Sequence, residues 1–470
     1  MYFRQLRLPD IGCASYIAGG EGVCAVIDPR WDAVPQYAGL ARQQGLQITH
    51  ILETHTHADH VSGATRLAAR TGATILIHRN ALVTYPHCDV DDNEEIVIGP
   101  ARMLVLHTPG HSLDSISLLV CDVEGNETPR LLSGDTLFVG EVGRPDLHGN
   151  QAASLAELLY TSLHERILPL GDDVEVYPAH LAGSLCGRHI APEPSTTIGR
   201  ERRTNPALAV LERETFVRSI VADLPPRPPN VERIVHLNRS AAPTRRPEVS
   251  RVTPEEALAL LDQVAIIDGR DAPVFAQGHL RGAINIPIGY GQFGVIAAWL
   301  FPPETVLLLI TADDEDLVDA IDSLMVVGMT NPLSALTGDQ VEWKGAGLAT
   351  AETPLVNVED LAHRIATGKV GTLVDAREKG EMEQGTIVGA INLPYREIRT
   401  RETLPSLVEP VAVFCNSGNR SSVAASLLEH LGLSVINVAG GTTAWMEAGL
   451  PLAQPIVGFL MPYRILCNGK

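Results

Sequence analysis

The stretch around which the chain is organised is Thr54-His55-Thr56-His57-Ala58-Asp59-His60, which places four metal-ligand side chains within six residues. An apolar run at residues 48–52 precedes it, and a helical pattern at residues 61–70 follows it. Because histidine and aspartate are common ligands of transition metals, this strand-to-helix loop predicts a metal-binding site. Three further side chains of ligand type follow predicted strands, where loops often carry functional residues: His111, Asp135 and His180.

The composition predicts a multidomain globular protein of the cytoplasm. A chain of 470 residues provides for about three domains. The formal net charge of −20 argues against nucleic acid or an anionic membrane surface as a partner. No apolar run approaches the roughly 20 residues that span a bilayer, and residues 1–6 lack the apolar core of a signal peptide.

Seven cysteines without a C-x-x-C pair favour reduced thiols over disulfides. Cys13, Cys24 and Cys121 lie in apolar strand patterns, which predicts positions in the core. Cys88 and Cys467 lie in polar stretches, which predicts accessible thiols. Cys186 follows His180 by six residues and is predicted to line the metal pocket.

Two proline-rich segments, residues 225–229 and 241–247, interrupt the strand and helix patterns and predict a domain boundary near residue 245. Beyond this boundary the sequence repeats. The elements Asp-x-Arg and Gly-Ala-Ile-Asn-x-Pro occur at residues 268–270 and 282–287, and both recur 107 positions later. We therefore expect a first domain over residues 1–245, two copies of an α/β domain over residues 250–350 and 354–455, and a C-terminal tail over residues 456–470.

The two copies differ in the loop that follows an apolar strand. The second copy continues as Cys415-Asn416-Ser417-Gly418-Asn419-Arg420 before a helix, whereas the first continues as Thr-Ala-Asp-Asp-Glu-Asp over residues 311–316. A cysteine between a strand end and a helix N-terminus gains backbone N–H donors and a favourable dipole, which predicts an exposed, reactive thiolate at Cys415. The acidic loop of the first copy would repel such a thiolate. We therefore expect the first copy to be an inactive structural or docking module.

Over residues 1–245 the ligand spacing resembles the metallo-β-lactamase fold, an αββα sandwich. Residues 134–138 (Gly-Asp-Thr-Leu-Phe), 143–147 (Gly-Arg-Pro-Asp-Leu) and 177–180 (Tyr-Pro-Ala-His) are similar to its persulfide dioxygenase branch. That resemblance implies one non-haem Fe(II) per chain, held by His55, His111 and Asp135, with coordination positions free for substrate sulfur and O₂. The same resemblance implies that four more side chains orient these ligands, namely His57, Asp59, His60 and His180. It also implies that Arg144 binds the carboxylate of glutathione.

The repeated elements and the six-residue loop that begins at Cys415 resemble the rhodanese sulfurtransferases. This resemblance implies that Cys415 carries sulfane sulfur as a persulfide. It further implies that the substrate is cradled by the rest of the loop, Asn416, Ser417, Gly418, Asn419 and Arg420. A loop of the tyrosine-phosphatase kind needs five residues between cysteine and arginine, and this loop has four. The first copy has the repeated elements without the cysteine and resembles an inactive rhodanese-like domain.

Together the resemblances imply a persulfide dioxygenase–rhodanese fusion. The persulfide of a small thiol such as glutathione would react with O₂ and water to give the thiol and sulfite. Cys415 would exchange sulfur with thiosulfate in a direction that the sequence leaves open. Two alternatives remain: a dinuclear zinc thioester hydrolase of the glyoxalase II kind fused to a sulfurtransferase, and a non-catalytic sulfur-trafficking protein. Enzymes of this branch commonly self-associate, so a homo-oligomer is a further open expectation.

Overall fold

The computed structural model describes residues 1–453 except Pro9, Asn126, residues 148–150, Asp223, Pro332 and Arg399. The predicted C-terminal tail, including Cys467, lies outside the described residues. The chain divides into two compact units. The first comprises residues 1–248, 291–305 and 318–332, and the second comprises residues 249–290, 306–317 and 333–470. Within the described part of the chain, no helix is both long enough and apolar enough to cross a membrane.

The first unit contains two six-stranded sheets, whose strands follow one another in sequence order. The first sheet consists of β1 (Tyr2–Leu8), β2 (Cys13–Gly20), β3 (Val23–Ile27), β4 (Gln47–Leu52), β5 (Thr74–His78) and β6 (Cys88–Val90). The second consists of β7 (Glu95–Ile98), β8 (Ala101–His107), β9 (Ile116–Asp122), β10 (Arg130–Gly134), β11 (Glu175–Pro178) and β12 (Thr196–Thr197). Tyr16 and Ile27 from the first sheet share one buried cluster with Val105 and Leu118 from the second. The two sheets therefore pack face to face around a common core.

Helices cover the outer faces of both sheets. They are α1 (Val34–Gln43), α2 (Ala64–Thr71), α3 (Ala152–Thr161), α4 (Ile198–Thr204), α5 (Arg213–Val221) and α6 (Val231–Ser240). A π-helical turn, Ser162–Ile167, extends α3, and 3-10 turns occur at Arg79–Ala81 and Leu168–Leu170. Tyr37 and Leu67 pack against Ile51 of the first sheet, and Leu159 and Phe216 pack against Val176 of the second. The αββα sandwich predicted from the ligand spacing is confirmed.

The rest of the chain folds as two copies of one α/β topology. The first copy consists of β13 (Val249–Val252), α7 (Pro254–Leu258), β14 (Ala265–Asp268), α8 (Ala272–Gln277), β15 (His279–Leu280), β16 (Ile284–Asn285), α9 (Phe293–Leu300), β17 (Leu307–Ile310), α10 (Asp314–Val326), β18 (Leu333–Leu336), α11 (Gln340–Gly345) and β19 (Thr350–Ala351). The second consists of β20 (Leu355–Val356), α12 (Val358–Ala366), β21 (Thr372–Asp375), α13 (Lys379–Glu383), β22 (Ala390–Asn392), β23 (Val411–Phe414), α14 (Asn419–His430), β24 (Val435–Val438) and α15 (Gly441–Glu447). Single 3-10 turns occur at Ile288–Tyr290, Tyr395–Glu397 and Arg401–Thr403. The two five-stranded parallel sheets have corresponding strand orders, β13-β18-β17-β14-β16 and β20-β24-β23-β21-β22.

The repeated sequence elements make the same contacts in both copies. In the first, Arg270 pairs with Asp268, and the Asn285 amide donates to the carbonyls of residues 268 and 270. In the second, Arg377 pairs with Asp375, and the Asn392 amide donates to the carbonyls of residues 375 and 377. The repeated residues thus fix the turn after the first central strand in each copy.

The first copy is not a self-contained domain. Its α9 and the C-terminal part of α10 belong to the compact unit that holds the N-terminal sandwich. Val326 joins the buried cluster of α1, α2 and the first sheet. The division into compact units therefore crosses the expected boundary near residue 245, because the first copy contributes segments to both units. The sequence of α9 is apolar on all sides, and such a helix must be covered on more than one face.

Candidate metal centre and cysteine loop

Three predicted ligands converge at the ends of three strands. His55 follows β4, His111 follows β8 and Asp135 follows β10, and all three side chains are buried. The Oδ2 atom of Asp135 lies 3.4 Å from the Nε2 atom of His111 and 3.8 Å from the Nε2 atom of His55. Ligand atoms about 2.1 Å from one ion lie about 3.0–3.4 Å from each other, so these side chains fit a shared metal with little adjustment.

Both histidines are held in the tautomer that a metal requires. The Thr54 hydroxyl donates to Asp28 at 2.9 Å and therefore accepts from the Nδ1 atom of His55 at 3.0 Å. The backbone carbonyl of Arg144 accepts from the Nδ1 atom of His111 at 2.8 Å. With the proton on Nδ1, each ring presents the lone pair of Nε2 towards Asp135.

A glycine permits this close arrangement. Gly134 ends β10 with a φ of +54°, and a Cβ atom there would lie 2.9 Å from the Thr54 hydroxyl oxygen. Residues other than glycine rarely adopt that conformation. The backbone before Asp135 therefore passes directly beside the hydroxyl that orients His55.

His180 lies behind Asp135 and joins it to Asp59. Its Nδ1 atom is 2.6 Å from Asp135 Oδ1, and its Nε2 atom is 2.7 Å from Asp59 Oδ2. Burial by itself lowers the pKa of His180, but Asp135 and Asp59 raise it well above its ordinary value. Burial likewise opposes ionisation of Asp135, but the surrounding histidines hold the pKa of this carboxyl well below its usual range. His180 therefore fixes Asp135 as a carboxylate whose Oδ2 atom faces the two histidine ligands.

His60 extends this group on the far side of Asp59. Its Nδ1 atom lies 2.9 Å from Asp59 Oδ1 and 3.5 Å from the Sγ atom of Cys13. Although burial opposes the change, Cys13 and Asp59 raise the pKa of His60 to about 9. Cys13, Asp59, His60 and His180 form a second set of close ligand-type atoms.

His57 belongs to a third buried group. Its Nε2 atom lies 3.1 Å from a Glu53 carboxylate oxygen and 3.4 Å from Asp28 Oδ1. Burial opposes protonation, but these two carboxylates raise the pKa of His57 well above its ordinary value. Among the described residues, His57 is grouped with Asp28 and Glu53. The group formed by His55, His111 and Asp135 is separate from it.

Two cysteines lie beside these groups, Cys13, which was expected in the core, and Cys186, which was predicted to line the metal pocket. Cys13 was expected in the core and is buried, but its Sγ atom contacts Asp59, His60 and His180 at 3.5–3.6 Å. The cause is the position of Cys13 at the first residue of β2, where a bridge to His180 brings the two strand ends together. Cys186 groups with Asp135 and His180, and burial raises the pKa of its thiol.

The structure places the Arg144 side chain among internal partners. It is buried and pairs in bidentate fashion with Asp146 at 2.7 Å. It also donates to the carbonyls of Leu185 and Pro225. Internal partners therefore engage the guanidinium, and binding of a substrate carboxylate by Arg144 stays a prediction. Its contribution to the centre is made by its backbone carbonyl, which orients His111.

A residue that the sequence did not indicate holds the loop between β4 and α2, residues 53–63, which we call the metal-binding loop. The Asn238 side chain on α6 donates to the carbonyls of His57 and His60 and accepts from the N–H of Ser62. No local pattern identifies this asparagine, because it lies more than 170 positions away from the loop.

The cysteine loop lies between β23 and α14 in the second unit. The Cys415 side chain is buried, and its Sγ atom accepts from the N–H of Gly418 at 3.1 Å. Gly441, the first residue of α15, approaches so closely that a Cβ atom would lie 2.1 Å from the Cys415 carbonyl oxygen. The expected backbone donor is present, but the expectation of an exposed sulfur is corrected, because neighbouring elements cover the loop.

Two polar side chains of the loop support it instead of facing outwards. Both terminal nitrogens of Arg420 donate to Glu381 on α13, at 2.6 and 2.8 Å. The Asn416 amide also donates to Glu381 and accepts from Thr442. Glu381, which the sequence did not indicate, engages both side chains, and substrate binding by Asn416 and Arg420 stays a prediction.

The remaining loop positions have different exposures. Ser417 is exposed, Gly418 is buried with a φ of +107°, and Asn419 is the first residue of α14. Their backbone groups, together with the helix N-terminus, are therefore the parts of the loop that can stabilise negative charge on sulfur.

The first copy lacks the equivalents of these groups. Thr311 follows β17 where Cys415 follows β23, and Val274 stands 107 positions before Glu381. Val274 is largely exposed and offers no carboxylate. The first copy therefore lacks both the nucleophile and the partner that supports the loop arginine.

Comparison with known proteins identifies the building blocks of the chain. Residues 8–180 match the metallo-beta-lactamase superfamily, and residues 253–346 and 357–448 match the rhodanese-like domain. A hydroxyacylglutathione hydrolase of Pseudomonas entomophila (strain L48) is 32% identical over 213 residues, which are 40% of this chain and 78% of that protein. The chain belongs to the metallo-beta-lactamase superfamily.

Two further relatives match different shares of this chain. The mitochondrial persulfide dioxygenase ETHE1 of Homo sapiens is 28% identical over 238 residues, which are 50% of this chain and 86% of that protein. A solved metallo-beta-lactamase structure from Staphylococcus aureus subsp. aureus COL is 30% identical with a TM-score of 0.63, and covers 72% of this chain and 98% of that chain. The predicted order, a metallo-beta-lactamase domain with persulfide dioxygenase homologues followed by two rhodanese-like domains, is confirmed.

Proposed function

We propose that this protein is a persulfide dioxygenase with a coupled sulfurtransferase. The observation that supports this best is the composition of the buried ligand set. His55, His111 and Asp135 converge, whereas His57 is grouped with Asp28 and Glu53. Two histidines and one carboxylate form the face that non-haem iron oxygenases use. The sequence similarity to ETHE1 supports the same reaction class.

The donor set suits Fe(II), with zinc as the alternative ion. When bound by these three side chains, Fe(II) supplies a redox-active centre with open positions for a persulfide sulfur and O₂. In the overall reaction one persulfide, one O₂ and one water give one thiol, one sulfite and two protons. Substrates of this class are small-molecule persulfides, and glutathione persulfide is the one we propose to test.

The residues around the ligands hold them in place before any ion binds. Thr54 and the Arg144 carbonyl fix the protons of His55 and His111 on Nδ1. His180 holds Asp135 Oδ1, so the other carboxylate oxygen is directed to the histidines. All of these groups are buried, which keeps water away from a reactive sulfur.

Cys415 is the proposed sulfur carrier. Its thiolate attacks the outer sulfur of thiosulfate, the S–S bond of thiosulfate breaks, and sulfite leaves with the bonding electron pair. The product is a cysteine persulfide, and the reverse reaction forms thiosulfate from sulfite. The Gly418 N–H, 3.1 Å from Sγ, stabilises negative charge on the sulfur, as does the N-terminus of α14.

A dinuclear zinc thioester hydrolase remains the second candidate. Asp59, His60 and His180 lie together with Cys13, so a second ion has side chains within reach. The identity of 32% with a hydroxyacylglutathione hydrolase supports this reading. In the proposed reaction these residues act only as partners of Asp135 and its neighbours.

The experiment that separates the two is O₂ uptake with glutathione persulfide, measured on full-length protein loaded with either Fe(II) or Zn²⁺. We expect O₂ uptake and sulfite release with Fe(II) and neither with Zn²⁺. Hydrolysis of a glutathione thioester by the zinc form, without O₂ uptake by the iron form, would contradict the proposal.

The cellular setting that we propose is the cytoplasm. The described cysteines are free thiols, as expected in a reducing compartment. The strongly negative charge of the chain makes nucleic acid and anionic membrane surfaces poor partners. A homo-oligomer stays a prediction, which the molar mass in solution would test.

A further inference from the structure

The metal-binding loop is held from outside by two helices. Asn238 on α6 donates to the carbonyls of His57 and His60 at 2.9 and 2.8 Å, and accepts from the N–H of Ser62 at 2.9 Å. The side chain is almost fully buried. One amide thus fixes three backbone positions of the loop that bears His55.

The second helix comes from the cysteine-less rhodanese-like copy. The N–H of Val61, next to His60, donates to the carbonyl of Val326 at 2.7 Å. Val326 is the last residue of α10, and both valines are fully buried. The carbonyl of Val61 accepts from the N–H of Trp31, so both backbone groups of this loop residue are engaged.

The carbonyls at the end of α10 have a complete set of partners. The N–H groups of Gly328 and Met329 donate to the carbonyls of Met325 and Leu324, respectively, as in a helix that ends at a glycine. The next two carbonyls have no donor within the helix. Val326 is satisfied by the metal-binding loop, and Val327 by the Asn230 side chain on α6 at 2.8 Å.

Side-chain packing joins the same elements. Val326 is part of the buried cluster formed by Val34, Ile51 and Leu67 around the first sheet. Asn230 and Asn238 lie at the start of α6 and in its last turns, so this helix binds the end of α10 and the metal-binding loop at once. The three elements therefore form one hydrogen-bonded layer behind the ligands.

We infer that the last residue of α10, Val326, and the next residue, Val327, form a docking element through which the cysteine-less copy holds the metal-binding loop in the conformation that presents His55. This gives the copy a function that needs no cysteine. The inference rests on the proposed metal site, but it concerns metal affinity and not the identity of the reaction.

The test is the affinity of the full-length protein for Co²⁺, measured by competition with a chromophoric chelator, together with the visible d–d spectrum of the bound ion. Val326→Ala removes side-chain contacts that hold the end of α10 in the buried cluster of the first sheet. The matched control is Val318→Ala, because Val318 is 37% exposed and lies on the same helix. Altered support of metal ligands typically weakens binding about 10- to 100-fold. We expect that loss, with a changed spectrum, for Val326→Ala and wild-type behaviour for Val318→Ala.

A second variant avoids dependence on core packing. Asn230→Asp keeps the size of the side chain but turns its N–H donor into a carboxylate that faces the Val327 carbonyl. We expect weaker Co²⁺ binding here too, with thiosulfate sulfurtransferase activity at Cys415 retained as a sign of an intact fold. Wild-type affinity and spectrum in both Val326→Ala and Asn230→Asp would overturn the inference. If those variants bind Co²⁺ weakly while the iron-loaded wild type consumes no O₂, the dioxygenase proposal fails and the docking inference stands.

Discussion

Replacing Thr54 with valine tests whether the buried hydroxyl sets up the metal centre. Valine has nearly the same shape, and the side chain is 1% exposed, so the packing is largely preserved. The change removes the oxygen that accepts from His55 Nδ1 and donates to Asp28 Oδ2. Asp28 keeps the hydrogen bond from the Thr54 backbone N–H at 2.7 Å. The perturbation is therefore confined to the orientation of one ligand.

The expected size follows from the cost of removing one partner from a buried hydrogen bond, about 1–3 kcal/mol. Loss of one such group behind a metal ligand lowers affinity about 10- to 100-fold, which is about 1.4–2.8 kcal/mol. The two ranges agree. We expect the dissociation constant of full-length Thr54→Val for Zn²⁺, measured by chelator competition, to rise by a factor in that range.

The chain offers a matched control in the strand that leads to the centre. Thr49 contacts the Nδ1 atom of His50 at 2.9 Å, the same local arrangement as Thr54 with His55 at 3.0 Å. The Thr49 pair belongs to none of the buried ligand groups found among the described residues. Thr49→Val should therefore bind Zn²⁺ like the wild type. Equal affinities for the Thr54→Val and wild-type proteins would refute the reasoning that the hydroxyl prepares His55.

Three further predictions concern the separation of the two chemistries and the cysteine loop. Removal of the metal by a chelator should abolish O₂ uptake with glutathione persulfide and leave thiosulfate sulfurtransferase activity intact, and loss of both would contradict two independent centres. Cys415→Ser should abolish sulfur transfer from thiosulfate while O₂ uptake from added persulfide continues, and unchanged transfer would exclude Cys415 as the carrier. Glu381→Gln should lower the transfer rate about tenfold or more, because it weakens charge-assisted hydrogen bonds from Arg420 that are worth about 1.5–3 kcal/mol. The exposed Glu383→Gln on the same helix should leave the rate unchanged, and equal rates for both variants would show that Arg420 needs no carboxylate partner.

The candidate ligands could be picked out from the sequence, and their convergence was implied by the resemblance to the metallo-β-lactamase fold. His55, His111 and Asp135 each follow an apolar run that ends in a loop, where functional residues often lie. Strand order alone does not bring them together, because β4 belongs to the first sheet and β8 and β10 belong to the second. The duplicated domain was equally visible, since Asp268 and Asn285 recur as Asp375 and Asn392 and make the same hydrogen bonds. The repeated turns depend on nearby residues alone, so the duplication could be predicted without knowledge of contacts between distant segments.

The partners of these residues could not be predicted, because packing between distant segments decides them. Cys13 looks like an ordinary apolar strand residue, and only the bridge to His180 brings its thiol to the ligand groups. Nothing in the local sequence shows that Arg144 is bound by the Asp146 carboxylate and by the carbonyls of Leu185 and Pro225. Asn238 carries no pattern at all, although it holds three backbone groups of the metal-binding loop.

The central claim is that a two-histidine, one-carboxylate iron centre oxidises a persulfide. The most direct test is the ratio of O₂ consumed to sulfite formed, measured on the full-length protein with one Fe(II) per chain and glutathione persulfide as substrate. The proposed reaction predicts one O₂ for each sulfite, with the ratio unchanged in Cys415→Ser. Sulfite formation without O₂ consumption, or no sulfite from the iron-loaded protein, would contradict it.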